Sequence, residues 1–287
     1  MTEIPITVVI PVKNEEANLP RCLAQLKRFA RVVVVDSGSS DRTQDIAREY
    51  GAKILQFHWD GRYPKKRNWT LINYPPSTPW VLFLDADEIV NDEFCHAVAS
   101  AIASERYDGF WLNYTNCFLG RRMRHGVPQR KLALFRVGRG LYERIDEDHW
   151  STLDMEVHEH PVIEGKLGEI KTPIEHQDLR SLETFLNRHR DYALWEARRT
   201  LLLERQAAAT HQQLTGRQRF KYAHLERWWY PWFYFVYAYF VRLGILDGAA
   251  GFYYAFYKSW YVLTIRLMIR ELRVSPKDAA GEGHSVS

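Results

Sequence analysis

Two aspartates one residue apart, Asp85 and Asp87, directly follow the apolar run WVLFL. At the end of a buried strand such a pair can divide labour. One carboxylate can reach a ribose hydroxyl while the other holds a divalent cation against phosphate oxygens. Two more polar stretches follow apolar runs: PVKNEE, carrying Glu15 and Glu16, and DSGSSD, carrying Asp36 and Asp41. A dinucleotide site would want G-x-G-x-x-G at such a place and a P-loop G-x-x-x-x-G-K-[ST]; neither occurs. The densest cluster of ionisable groups is Asp-Met-Glu-Val-His-Glu-His at 154–160. It offers three carboxylates able to deprotonate a hydroxyl. Its histidines lack an H-E-x-x-H partner motif, which argues against a dedicated zinc site. Lys65-Lys66-Arg67-Asn68 opens a helical pattern, where Lys66 and Arg67 can pair with a diphosphate.

These groups need a scaffold that brings strand ends together. The β-branched runs 6–12, 32–36, 53–57 and 80–85 alternate with helical patterns at 17–28, 41–50 and 66–73. Uninterrupted apolar runs indicate strands buried on both faces, and the alternation indicates a parallel sheet covered by helices. Ligands of such sheets bind beyond the carboxyl ends of the strands, where strand order reverses. Asp41 reads as a helix N-cap and Glu16 as a complement to a helix dipole. From 110 to 176 the pattern is irregular, with strands expected at 109–114, 132–137 and 162–163; from 182 to 273 it is helical.

Composition excludes several classes. The 287 residues carry 39 Lys+Arg against 35 Asp+Glu, a net +4 that argues against a dedicated nucleic-acid partner. Three widely spaced cysteines make no disulfide framework and suit a reducing compartment. The N-terminus does not read as a secretory signal. The expected organisation is a catalytic domain over 1–180, a helical region over 181–274 and a disordered tail over 275–287.

The blocks PVKNEE, VVVVDSGSSDRT and WVLFLDADE, in this order and strand context, resemble family 2 glycosyltransferases of the GT-A fold. The fold this implies is an α/β nucleotide-sugar-binding sandwich, a mostly parallel sheet with flanking helices. The activity it implies is transfer of a sugar from a nucleotide diphosphate with inversion, assisted by Mg²⁺ or Mn²⁺. By the same resemblance Asp36 contacts the base, usually uracil, and Glu15 lies beside base and ribose. Asp85 touches ribose or diphosphate, Asp87 is a metal ligand, and Pro11, Lys13, Ala86, Lys66, Arg67 and Asn68 complete the donor-binding set. Several GT-A families place an acidic base near 154–160, and lipopolysaccharide-core glucosyltransferase-like members carry a similar V-H-E. That points to Glu159 as base, with Glu156 and Asp154 behind it. His176 falls where a late histidine completes the metal shell, although it also precedes a helical pattern. Arg130 and Arg136 resemble a basic strand near donor phosphates or acceptor, and Trp111, Asn113 and Tyr114 are candidates to line the sugar site.

Aromatic residues are 14% of the chain, and 17 of its 40 fall within 228–261. A spanning helix needs about 20 mostly apolar residues. Here Arg242, Lys258 and Arg266 interrupt, and Trp and Tyr favour the lipid boundary. Lys258, Arg266, Arg270 and Arg273 recur near the helical period as a cationic stripe beside Leu263, Leu267 and Ile269. Similar segments with G-x-L-D-G occur in bacterial family members that build lipid-linked glycans. The expectation is an enzyme peripheral to the cytoplasmic side of a bacterial inner membrane, with a nucleotide-sugar donor, a lipid-linked glycan acceptor, an anionic membrane surface and room for a homo-oligomer. The rival readings are a polyprenyl-phosphate glycosyltransferase and a non-catalytic sugar-binding subunit.

Overall fold

The computed structural model describes residues 3–145, 147, 150–156, 159–205 and 214–274. The expected tail, 275–287, and Val157 and His158 of the acidic cluster lie outside these. Two compact units are present: one within Met1–Arg122, Pro128–Asp148 and Thr152–Arg180, the other within Met123–Val127, His149–Ser151 and Ser181–Ser287.

The first unit is built on a nine-stranded sheet in the order β3-β2-β1-β4-β8-β6-β11-β5, with β7 paired to β6. The strands are β1 (Ile4–Val12), β2 (Phe29–Asp36), β3 (Lys53–Gln56), β4 (Trp80–Phe83), β5 (Glu88–Ile89), β6 (Gly109–Phe118), β7 (Arg121–Arg122), β8 (Gln129–Arg136) and β11 (Leu167–His176). β9 (Gly140–Tyr142) and β10 (Pro161–Ile163) form a separate antiparallel ribbon. β3, β2, β1 and β4 are all parallel, and β8 then joins β4 antiparallel. The helices are α1 (Leu19–Ala24), α2 (Thr43–Glu49), α3 (Lys66–Asn73) and α4 (Asp92–Ala103).

Strand periodicity explains why the apolar runs are continuous. Ile6, Val8, Ile10 and Val12 of β1 pack on one face with Leu19 and Leu23 of α1 and Phe94 and Val98 of α4. The alternate residue Val9 joins Val35, Leu55, Val81 and Phe83 on the other face, against Trp69 of α3. Both faces being covered, neither can be polar. This is the α/β sandwich with flanking helices that the GT-A resemblance implies, with a parallel half, β3-β2-β1-β4, and a mixed remainder.

Of the elements that go beyond the sequence reading, α4 and β11 are the longest. α4 starts at Asn91, whose side chain accepts the Phe94 amide at 2.8 Å and caps the helix. β11 contains Pro173, which argues against a strand interior; its pairing with β6 shifts register between Ile170 and Ile174, so an irregularity spans the proline. Asp41 is not itself the N-cap of α2, since Arg42 holds that position. Its carboxylate accepts the Thr43 amide at 3.0 Å, while Glu16 accepts the Arg42 amide at 3.1 Å.

The second unit contains α5 (Leu182–Arg205), α6 (Gly216–His224), α7 (Tyr230–Val236), extended by a wide turn over Tyr237–Val241, and α8 (Gly248–Val274). Ala193 and Ala197, Leu225 and Tyr230, and Val262, Ile265, Ile269 and Leu272 of α8 form its core. The α8 residues recur at helical spacing and mark its buried stripe. Among the described residues no single helix is long and apolar enough to cross a membrane. The pair Tyr230–Val241 and Gly244–Val274 passes that test jointly but is bent by 70°. At the bend, a Cβ on Gly251 would lie 1.9 Å from the Gly244 carbonyl oxygen, so only glycine permits this approach. The Asp247 carboxylate accepts the amides of Arg124 and His125 at 3.1 and 2.9 Å.

Candidate functional site

The parallel strands β2, β1 and β4 end side by side, and strand order reverses at β1, the position where such sheets bind ligands. Asp36, the last residue of β2, is fully buried. Its carboxylate accepts the amides of Gly38 at 3.1 Å and Ser39 at 3.1 Å and the side-chain amides of Gln44 at 2.7 Å and Gln56 at 3.2 Å. Burial opposes ionisation, but the hydrogen bonds from Ser39, Gln44 and Gln56 outweigh it and hold the carboxyl below its usual range. Across from it, Asn14 adopts a left-handed conformation with φ 54° and accepts the Ser40 amide at 2.9 Å, which locks the β1 and β2 exits together. Pro11 is buried in register with Val35, and Lys13 points to solvent.

Glu15 is 8% exposed and accepts Asn18 Nδ2 at 2.9 Å and an Arg180 guanidinium nitrogen at 2.6 Å. Arg180 also pairs with Asp178 at 2.6 Å and lies 3.8 Å from Asp87. It therefore links the β1 exit to the segment after β11.

Past β4, Asp85 receives Arg67 at 2.7 Å and Lys131 of β8 at 2.6 Å. Lys131 also contacts Glu88. Burial works against a charged Asp85, yet Lys131 and Arg67 hold it far below the usual carboxylate range. The same burial pushes Glu88 up to about 7, with Lys131 opposing and Asp85 adding to the rise. Ala86 is buried between the two aspartates. Asp87 faces His176, with Oδ1 to Nε2 3.4 Å, and His176 Nδ1 lies 3.0 Å from the Asn116 side-chain oxygen. His176 is the last residue of β11, not a helix lead-in. Burial lowers its proton affinity, but Asp87 reverses the balance and raises it.

This pair bears on metal binding. One carboxylate and one imidazole at this separation can share an ion whose other positions are filled by phosphate oxygens and water. Among the described residues no three acidic, histidine or cysteine side chains converge as a cage, so the protein supplies only part of such a shell.

The basic block does more than the sequence reading gives it. Lys66, 2% exposed, donates to the Val12 carbonyl at 3.0 Å and pairs with Asp154 at 3.2 Å; burial lowers its pKa, partly countered by Asp154. The Arg67 and Asn68 amides donate to Glu156 at 2.9 and 3.0 Å, so a protein carboxylate occupies the start of α3. Asn68 brackets Tyr142 of β9 through 2.9 and 2.8 Å bonds. Glu156 thus anchors the start of α3. Glu159 pairs with Lys65 at 3.0 Å, and Glu147 joins the same lysine. Lys65, Glu147 and Glu159 line a recess with Trp59, Tyr63 and Asn68. Arg130 lies over the Trp111 ring at 5.6 Å and Arg136 over Trp80 at 4.7 Å, which gives both a packing role. Asn113 donates to Glu169 and the Ile170 carbonyl at 2.9 and 3.0 Å, and Tyr114 is buried against Glu88.

The sequence reading overlooked Lys131, Glu88, Asn18 and Arg180. Lys131 sat inside a segment read only for its flanking arginines. Arg180 follows His176 by four residues and carried no motif.

Known proteins are similar to this chain. It is 29% identical over 178 residues, 59% of its length and 62% of the relative's, to the lipopolysaccharide core biosynthesis glycosyltransferase LpsC of Rhizobium meliloti. The chain thus spans less than two thirds of that relative. An uncharacterized glycosyltransferase of Rickettsia typhi is 26% identical over 258 residues, covering 86% of this chain and 80% of its own. The crystal structure of Staphylococcus aureus TarS 1-349 in complex with UDP-GlcNAc overlays with a TM-score of 0.47 at 16% identity, over 96% of this chain and 92% of that one. Residues 7–155, more than half of the chain and the stretch that supplies Asp36, Asp85 and Asp87, match the sequence model described as glycosyl transferase family 2, and the chain is a glycosyltransferase of that family.

Proposed function

We propose that this glycosyltransferase moves one sugar from a nucleotide-diphosphate donor, a UDP-sugar, to a hydroxyl of a lipid-linked glycan of the lipopolysaccharide-core kind. It works at the cytoplasmic face of a bacterial inner membrane. The observation that carries the reading is the meeting of Asp85 and Asp87 with Arg67, Lys131 and His176 just past β4, on the strand rim where Asp36 ends β2. Asp36, fixed by its Ser39, Gln44 and Gln56 bonds, faces the base, and Glu15 the ribose. Asp87 and His176 would hold Mg²⁺ or Mn²⁺, whose contribution when bound would be positive charge beside the departing diphosphate. Arg67 and Lys131 exchange part of their pairing with Asp85 for diphosphate oxygens.

Inversion needs one proton acceptor. As the acceptor oxygen attacks the anomeric carbon, a carboxylate takes its proton; the bond from that carbon to the phosphate oxygen breaks, and its electron pair leaves on the nucleoside diphosphate. With Glu156 committed to α3, the role falls to Glu159, which must exchange its Lys65 pairing for the acceptor, with Asp154 as the competing group.

The acceptor class is supported by the lipopolysaccharide-core relative and by the second unit's surface. Trp228 is 71% exposed, and Trp232, Phe240, Val241, Leu246 and Phe256 are exposed too. Exposed aromatics at this density fit a lipid boundary. The cationic stripe contributes less than its sequence spacing suggests: Arg273 is paired with Glu204 and Glu226, and Arg266 donates to the Glu226 carbonyl. A screen of UDP- and GDP-sugars for transfer to a lipid-linked glycan, with Mn²⁺ or Mg²⁺ and then with excess chelator, tests the reading. UDP-sugar turnover that stops on chelation supports it; full turnover in chelator removes the metal role, and no turnover with any donor removes the acceptor class.

A further inference from the structure

Within the helical unit, Lys258 of α8 is enclosed by rings. Its ammonium lies 5.6 Å from the centroid of Tyr254 and 5.7 Å from that of Tyr261, and 3.3 Å from His189 Nε2 on α5. His189 Nδ1 lies 2.9 Å from the Phe185 carbonyl, which can only accept; Nδ1 therefore carries the hydrogen and Nε2 accepts from the lysine. One of the three ammonium hydrogens is thereby used. The tyrosine faces attract the charge through their quadrupoles but offer no acceptor atom there.

The neighbouring rings add donors. Tyr257 and Tyr261 both pack on His189, at centroid separations of 5.3 and 5.5 Å. Among the described residues their buried hydroxyls have no hydrogen-bond partner. A buried hydroxyl left unpaired costs stability, and these two repeat that cost on rings that share His189 with the lysine. Burial pushes the Lys258 pKa down to about 8, with no carboxylate of the described residues acting against it. The cluster is rich in donors and poor in acceptors. The same stretches of α5 and α8 expose Leu182, Leu186, Phe256 and Trp260. A polar, donor-lined spot within an apolar surface fits an amphiphile with an anionic head.

We propose that Lys258, with Tyr257 and Tyr261 beside His189, forms an anion site that takes the phosphate group of a membrane amphiphile. Phosphate supplies several acceptor oxygens and negative charge together, which matches this donor set. The membrane reading given above enters only in naming the source of the phosphate; the donor cluster stands apart from it and from glycosyl transfer.

The test uses the full chain and phosphatidylcholine vesicles doped either with phosphatidic acid or, at matched surface charge, with oleate. Wild type is expected to prefer the phosphatidic acid vesicles by about fivefold, the worth of about one net hydrogen bond to the phosphate. Lys258→Met abolishes that preference, and Tyr257→Phe, which keeps the packing, reduces it. An unchanged preference in both variants overturns the proposal. Phe240→Ser with Leu246→Ser weakens binding to both vesicle types equally, which reports on membrane association alone. If wild type binds neither vesicle, the membrane reading fails, and titration with glycerol phosphate decides the site: Lys258-dependent binding sustains an anion site for free phosphate esters, and no binding overturns it.

Discussion

At the strand rim Glu88 and Arg67 are buried, Asp85 and Lys131 half-buried beside them, and each meets an opposite charge; in the helical unit Lys258 lies among tyrosine and histidine rings, and no opposite charge among the described residues offsets its burial. The contrast lies in what a ligand has to do in each place. A diphosphate arriving at the rim must displace existing ion pairs, so its binding energy is a difference between two well-satisfied arrangements. A phosphate arriving at Lys258 displaces no carboxylate and satisfies donors that are otherwise idle. The rim is suited to selectivity and chemistry, the lysine to retention.

The comparison breaks first at Asp87. Asp87→Asn keeps the shape and removes the charge, and turnover should drop about 10²–10³-fold, the scale of a lost electrostatic stabiliser. Initial rates against Mn²⁺ concentration check this, and a loss below tenfold would leave Asp87 outside the chemistry. Next comes the choice of base. Whichever of Glu159→Gln and Asp154→Asn removes the proton acceptor should cost about 10²-fold in transfer while UDP still binds, as calorimetry would show. Equal small losses in both would move the base elsewhere.

The helical unit is tested by packing. Gly251→Ala forces a carbon against the Gly244 carbonyl and should cost about 1–3 kcal/mol, with a lower melting midpoint and weakened vesicle binding. Donor binding should persist, which separates the two regions. The smallest effect concerns pH. The folded pKa of Lys258, about 8, lies below its usual 10.5, so between those values the unfolded chain holds more protons and stability rises with pH. Below about 8 the full cost of burying the charge is present. Wild type minus Lys258→Met stability should therefore increase from pH 8 to pH 10.5 in denaturant titrations, with His189 and the tyrosines Tyr254, Tyr257 and Tyr261 facing the same group; a flat difference would show the ammonium to be adequately solvated.

The parallel half of the sheet was legible because its strands are buried on both faces and the apolar runs are uninterrupted, as in WVLFL. Asp36, Asp85 and Asp87 were legible for the same reason, since each stands where such a run stops. The opposite charges were not. Lys131 reaches Asp85 across a strand pairing between β4 and β8 some 50 residues apart in sequence, and nothing local announces that meeting. Arg180 meets Glu15 across 165 residues. Glu156 shows the converse limit: its neighbours in sequence suggested catalysis, and only the fold reveals that its carboxylate is turned to the amides of α3. β11 was hidden by Pro173, whose missing donor is absorbed where the register shifts.

The closed corner between α7 and α8 has a consequence for sidedness. With Gly251 against Gly244 and Asp247 holding the Arg124 and His125 amides, the 70° bend has no room to straighten into a rod. Under the proposed membrane association, helices fixed at such an angle would dip into a single leaflet and come back out of it, leaving Trp228 and Val274 accessible from the same aqueous compartment. Cysteines introduced at 228 and 274 should both react with an impermeant maleimide added to the outside of vesicles carrying bound protein. Protection of only one of them would mean that the corner had opened across the bilayer.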